Sequence, residues 1–170
     1  MKIKPFFIVF CLFLIVAQKV IFSDAIFLLS EEYPLMVFIY PLIILALPLD
    51  FDKPLLLIFA FLLGLFLDVI NDTLGIGAFS LVMMAYLRSS ILTLIQPRQG
   101  YKGSDVGLKS YGVGWVTMYI GLSLLVFAFA FFMIDAFTMV FFKRVVISSL
   151  MSTIVSLPFG VFLLMIFRRG

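Results

Sequence analysis

Residues 60–87 read AFLLGLFLDVINDTLGIGAFSLVMMAYL. Two apolar runs flank a polar break, in which Asn71, Asp72 and Thr73 followed by Gly75 make a tight turn. Ahead of the turn, Ala60, Gly64, Asp68 and Asp72 recur every four residues, so they share one slowly drifting face of a helix. Small residues on such a face let a second backbone approach closely. Asp68 is then an ionisable group near the end of an apolar helix. A carboxylate in that position is costly and calls for a partner or a function.

The rest of the chain extends the same pattern. Of its 170 residues, 65% are hydrophobic and 12% charged, against roughly half apolar and about a quarter charged in a soluble domain. Its 12 Lys and Arg with 9 Asp and Glu cannot cover the surface of a water-soluble fold of this size. A spanning helix takes about 20 apolar residues, and six candidates lie at about 5–22, 33–49, 54–70, 74–95, 113–134 and 145–167. The expectation is a single all-α, polytopic membrane domain built as a six-helix bundle. The first span, preceded by Lys2 and Lys4, reads as a retained signal anchor because no small-x-small cleavage site follows. Residues 135–144 read either as an interfacial turn or as an extension of the helices beside them.

With six spans and the N-terminus inside, Lys2, Lys4, Lys53, Arg98, Lys102, Lys109, Arg168 and Arg169 fall on the inner side. Lys19, Lys143 and Arg144 fall near the outer side, beside Asp24, Glu31 and Glu32. This asymmetry satisfies the positive-inside rule and places both termini in the cytoplasm of a multi-pass inner-membrane protein. The net charge of +3 therefore reports orientation rather than nucleic-acid binding. With no His and the single Cys11 set among apolar neighbours, His chemistry, cysteine zinc sites and disulfides are excluded.

Three accounts of Asp68 compete. Gly64, Asp68 and Asp72 match the second half of the metal-binding signature of CDP-alcohol phosphotransferases, but of the first half only Asp50 is present. The enzyme reading fails there. A second account gives Asp68 and Asp72 to helix capping and turn formation. A third pairs Asp68 with Lys19, which lies at a similar depth in the first span. Arg88 lies roughly 15 Å deeper than Asp68 at 1.5 Å per residue, so it is expected to snorkel toward the inner headgroups instead.

The same stretch resembles the central signature of the rod-shape-determining MreD family, in a Gly-x-x-x-Asp helix, a Leu-Gly turn and a small-residue helix ending in Ala-Tyr-Leu. The matching positions are Gly64, Asp68, Leu74, Gly75, Ala78, Ala85, Tyr86 and Leu87, and Pro97-Arg98-Gln99-Gly100-Tyr101 resembles the family's cytoplasmic loop. Gly77 departs from the His found in many members. The resemblance implies a noncatalytic, cofactor-free scaffold of the cell-elongation machinery that supports peptidoglycan synthesis. Its implied partner is the single-span protein MreC, and through it MreB, RodA and a penicillin-binding protein. It also implies a bundle like the substrate-binding subunits of energy-coupling-factor vitamin transporters.

Near the C-terminus, Ser148, Ser152, Ser156 and Gly160 stand at strict four-residue spacing, a small stripe suited to packing inside the bundle or against a partner's helix. In loop 96–112, residues 103–110 approach a phosphate-binding Walker A loop but carry Leu108 where glycine is needed. That loop, with Arg98, Lys102 and Lys109 against Asp105, suits lipid headgroups. The rival to the scaffold is a small-molecule carrier, which needs a roomy polar pocket built from Gln18, Lys19, Asp68 and Asp135. A sealed apolar interior favours the scaffold.

Overall fold

The computed structural model describes residues 14–16, 18, 33–97, 108–136 and 142–167. These form a one-turn helix α1 (Leu42–Leu45) and four long helices, α2 (Lys53–Asn71), α3 (Ile76–Leu94), α4 (Leu108–Ala136) and α5 (Phe142–Phe167). Among the described residues, four segments are long and apolar enough to cross a membrane: Lys53–Asn71, Ile76–Leu94, Tyr111–Ala136 and Phe142–Leu163. The chain is a helical membrane protein. The long helices run antiparallel in chain order, α2 against α3, α3 against α4 and α4 against α5.

The starts and stops have local causes. Pro54 sits in the first turn of α2, where its missing N–H costs nothing. Asp72 ends that helix in the left-handed conformation at φ 55°, and Leu74 (φ 43°) and Gly75 (φ 92°) complete the reversal. Gly112, at φ 81° and ψ 165°, breaks α4 near its start, one residue into the membrane-length segment. Both α4 and α5 reach into the stretch 135–144, ending at Ala136 and starting at Phe142.

The expected helix count needs correction at 33–49. Residues 34–39 have no helical structure, and only Leu42–Leu45 makes a turn of helix. The prolines explain this. Pro34, Pro41 and Pro48 recur every seven residues, and each removes an N–H while pushing the residue before it toward extended backbone. The only helical turn fits between Pro41, which stands at its N-cap, and Pro48. Of the expected first span, Leu14, Ile15, Val16 and Gln18 are described, and they are helical.

This non-helical stretch runs through the middle of the protein. From Leu35 to Leu47 every residue is buried except Met36, which is half-buried. Phe38 packs edge-on against Phe127 of α4 with ring centres 5.0 Å apart, and Tyr40 meets the same ring at 5.4 Å. The core is thus the chain's own extended segment wrapped by helices.

Candidate functional site

Extended backbone at membrane depth has N–H and C=O groups with no intrasegment partners, and it persists only where protein groups satisfy them. Here side chains do so. Ser152 Oγ accepts the Met36 N–H at 3.0 Å, and Ser156 Oγ accepts the Phe38 N–H at 2.9 Å. Successive backbone groups of a strand point to opposite sides, and the other side is met by Gln18. Its Nε2 donates to the Val37 carbonyl at 2.7 Å, and its Oε1 accepts the Ile39 N–H at 2.8 Å. A carboxamide carries both donor and acceptor, so one Gln side chain stands in for a neighbouring strand.

The serine spacing follows from geometry. Two extended residues rise about 6.6 Å, and four helical residues rise about 6 Å. Serines every fourth residue therefore keep step with every second N–H of the strand. Gly160 continues the stripe: a Cβ there would lie 3.0 Å from Ile120 Cγ2 and 3.1 Å from Leu42 Cδ2. The stripe of Ser148, Ser152, Ser156 and Gly160 faces the chain's own interior, so it is not a surface open to a partner's helix.

Arg88 corrects a second expectation. It does not snorkel toward headgroups but is 3% exposed. Its Nε donates to Tyr119 Oη at 2.8 Å, and its Nη2 donates to the Leu47 carbonyl at 2.6 Å and the Pro48 carbonyl at 3.1 Å. These carbonyls follow α1, and that of Pro48 also accepts the Phe51 N–H at 3.3 Å. A planar, multi-donor guanidinium suits them better than a lysine would. Tyr119 also stacks on Trp115 at 5.4 Å, and Trp115 Nε1 donates to the Ile95 carbonyl at 3.0 Å, tying α3 to α4.

Asp68 caps a helix. It is buried near the end of α2, and its Oδ1 accepts from the Thr73 hydroxyl and from the Gly77 N–H at 2.8 Å. Its Oδ2 accepts the Ala78 N–H at 2.8 Å. The N-cap residue of α3 is Gly75, which has no side chain to offer, so a carboxylate from the preceding helix satisfies the exposed N–H groups. A negative charge is favoured there by the helix dipole. Close approach makes this possible: a Cβ on Gly64 would lie 2.3 Å from Ala78 Cα, and one on Gly77 would lie 2.6 Å from Asp68 Oδ1. Lys19, the other half of the expected ion pair, lies outside the described residues. Asp72 and Gly75 serve the turn itself.

Asp135 is elsewhere. It is exposed and lines a cavity of about 230 Å³ with Pro34, Phe132, Arg144 and Ser148, at the bundle end where α4 finishes and α5 begins. The structure thus separates the polar groups expected to share one pocket: Gln18 holds the strand, Asp68 caps α3 and Asp135 edges this cavity. Thr73 and Tyr119, absent from the expected set, complete the hydrogen bonds of Asp68 and Arg88, and Pro34 lines the cavity. Comparison with protein-family models, curated proteins and solved structures gives no match to this chain, so its function is read from this geometry and its sequence.

Proposed function

We propose that the chain is a noncatalytic scaffold of the bacterial inner membrane, of the MreD kind. In this reading it binds an MreC-like single-span protein and holds that partner's outer domain in place for peptidoglycan synthesis. The observation that carries the reading is the filled interior. A carrier needs a roomy polar pocket inside the bundle, whereas the centre of this one is occupied by residues 35–47, with Gln18, Arg88, Ser152 and Ser156 bonded to its backbone. With the serine stripe internal, a partner's helix would lie on an outward face. The best candidate is α2, which has the smallest buried share of the four spans and exposes Leu55, Ile58, Leu62, Phe66 and Val69 along one ridge.

Under this reading the positive-inside count orients the protein. Lys53 and the loop after α3 face the cytoplasm, and the α2–α3 turn and the cavity at Asp135 face outward. Depletion in the native bacterium, with imaging of cell width, tests the reading: rounded cells are expected. Unchanged cell shape with loss of vitamin uptake would instead favour the carrier.

A further inference from the structure

Away from their ends, every exposed side chain of α2, α4 and α5 among the described residues is apolar. The remaining span, α3, differs. Tyr86, 69% exposed, and Ser90 stand on its outward face one turn apart, about 40° from each other around the axis, between Phe79 and Leu94. Tyr86 is ten residues from the start of α3 and eight from its end, or about 15 Å and about 12 Å at 1.5 Å per residue. Tyrosines of membrane proteins gather at the headgroup level, where the hydroxyl meets water. This one is set near the middle of a span, with both ends beyond its reach.

Among the described residues neither hydroxyl has a hydrogen-bond partner. Helical hydroxyls elsewhere bond to their own backbone four residues back: Ser80 donates to the Ile76 carbonyl, Thr93 to Ser89, Thr117 to Val113 and Ser149 to Val145. The Tyr86 ring carries its hydroxyl away from its own helix, which closes that route. Lipid tails offer no partner, and an unpaired hydroxyl among them is unfavourable. Hydroxyls in membrane helices are paired across a contact with another helix.

The chemistry of the face selects its occupant. All copies of a chain enter the membrane in one orientation, so two of them are related by a two-fold axis along the membrane normal. Their α3 helices then run parallel, and each residue meets its counterpart at its own depth. A hydroxyl both donates and accepts, so Tyr86 and Ser90 complement themselves, which a charged group or a lone acceptor could not do. We infer that α3 is a self-association face on which two copies of this chain pair through the Tyr86 and Ser90 hydroxyls. The small Ser90 gives the opposing Tyr86 ring room to approach. This face is on a different helix from the α2 ridge and does not rest on the scaffold reading.

Energy transfer between donor- and acceptor-tagged copies of the full chain, titrated over the protein-to-lipid ratio in phosphatidylcholine–phosphatidylglycerol vesicles, measures the association. The wild-type chain is expected to dimerise. Tyr86→Phe deletes only the outward hydroxyl and should weaken the dimer about 3-fold, and Tyr86→Phe combined with Ser90→Ala about 10-fold. Neither change removes a hydrogen bond among the described residues, so unfolding of the detergent-dispersed monomer should stay at the wild-type midpoint. Oxidative crosslinking locates the face. In a Cys11→Ser background, Ser90→Cys should form a disulfide between copies, whereas Ile58→Cys, exposed at a similar depth on α2, should not. A monomer at every protein-to-lipid ratio, including one whose α3 face is covered only by a different membrane protein, would overturn the assignment. So would wild-type association in the double variant, or crosslinking through Ile58→Cys in place of Ser90→Cys.

Discussion

Phe38 donates its backbone N–H to the side-chain oxygen of Ser156 at 2.9 Å, across 118 residues of sequence. The bond belongs to a helix-to-strand ladder in which hydroxyl groups replace a second strand. It explains why serines recur at a spacing of four in an otherwise apolar helix. It also explains how an extended segment can occupy the centre of a membrane protein.

Removing one rung leaves a buried N–H without an acceptor. Ser156→Ala and Ser152→Ala should each destabilise by about 1–3 kcal/mol. Ser148→Ala, where no internal bond is lost, should be neutral within about 0.5 kcal/mol or slightly stabilising. Thermal unfolding of the purified variants in one detergent checks the contrast. Equal losses at all three serines would show that the hydroxyls act through volume alone.

Arg88 fastens the far end of the buried stretch, beyond α1. Arg88→Leu strips the Leu47 carbonyl of its donor, leaves that of Pro48 only the Phe51 N–H and takes a partner from Tyr119, and should cost about 2 kcal/mol. Arg88→Lys keeps the charge but cannot fork between Tyr119 and the carbonyls, so it should recover only part of the loss. Unfolding midpoints of the two variants measure the difference. A wild-type midpoint in Arg88→Leu would contradict the assigned role.

Asp68 should behave as a cap rather than as half of an ion pair. Asp68→Asn keeps an acceptor for the N–H groups of α3 and loses the favourable charge, while Asp68→Ala loses both. The expected order of stability is wild type, then Asn, then Ala, with the Ala variant lower by about 1–2 kcal/mol. Substituting Lys19 by Met should leave the Asp68 effect unchanged in a double-mutant cycle. A coupling above about 0.5 kcal/mol would restore the ion pair.

Gly64 sets the spacing of α2 and α3. With its absent Cβ only 2.3 Å from Ala78 Cα, Gly64→Ala must push two backbones apart and disturb the Asp68 cap. A loss of about 1–3 kcal/mol is expected, together with faster hydrogen exchange at the Gly77 and Ala78 amides. Unchanged exchange at those amides would separate the packing from the cap.

Much of this was legible in the chain, and the exceptions share a physical cause. The runs at 54–70 and 74–95 predicted α2 and α3 to within two residues of Lys53–Asn71 and Ile76–Leu94, because long apolar runs broken by a polar Gly turn have few other solutions. The capping account of Asp68 was among those open. Residues 33–49 misled because hydropathy reports burial, and a buried strand is as apolar as a spanning helix. The discriminating signal was the seven-residue recurrence of Pro34, Pro41 and Pro48. Once the strand is recognised, Gln18, Arg88 and the serines change from isolated polar residues in apolar helices into its hydrogen-bond partners. The cavity at Asp135 could not be read in advance, since only the fold brings Pro34, the end of α4 and the start of α5 together.

The account rests on the extended conformation of residues 34–39. Cα and Cβ chemical shifts of these residues, measured on isotope-labelled protein in lipid bilayers, report it most directly. Cα shifts below and Cβ shifts above their random-coil values from Leu35 to Ile39, changing to helical values at Leu42–Leu45, are the expected result. Helical shifts running without interruption from 34 to 47 would contradict it.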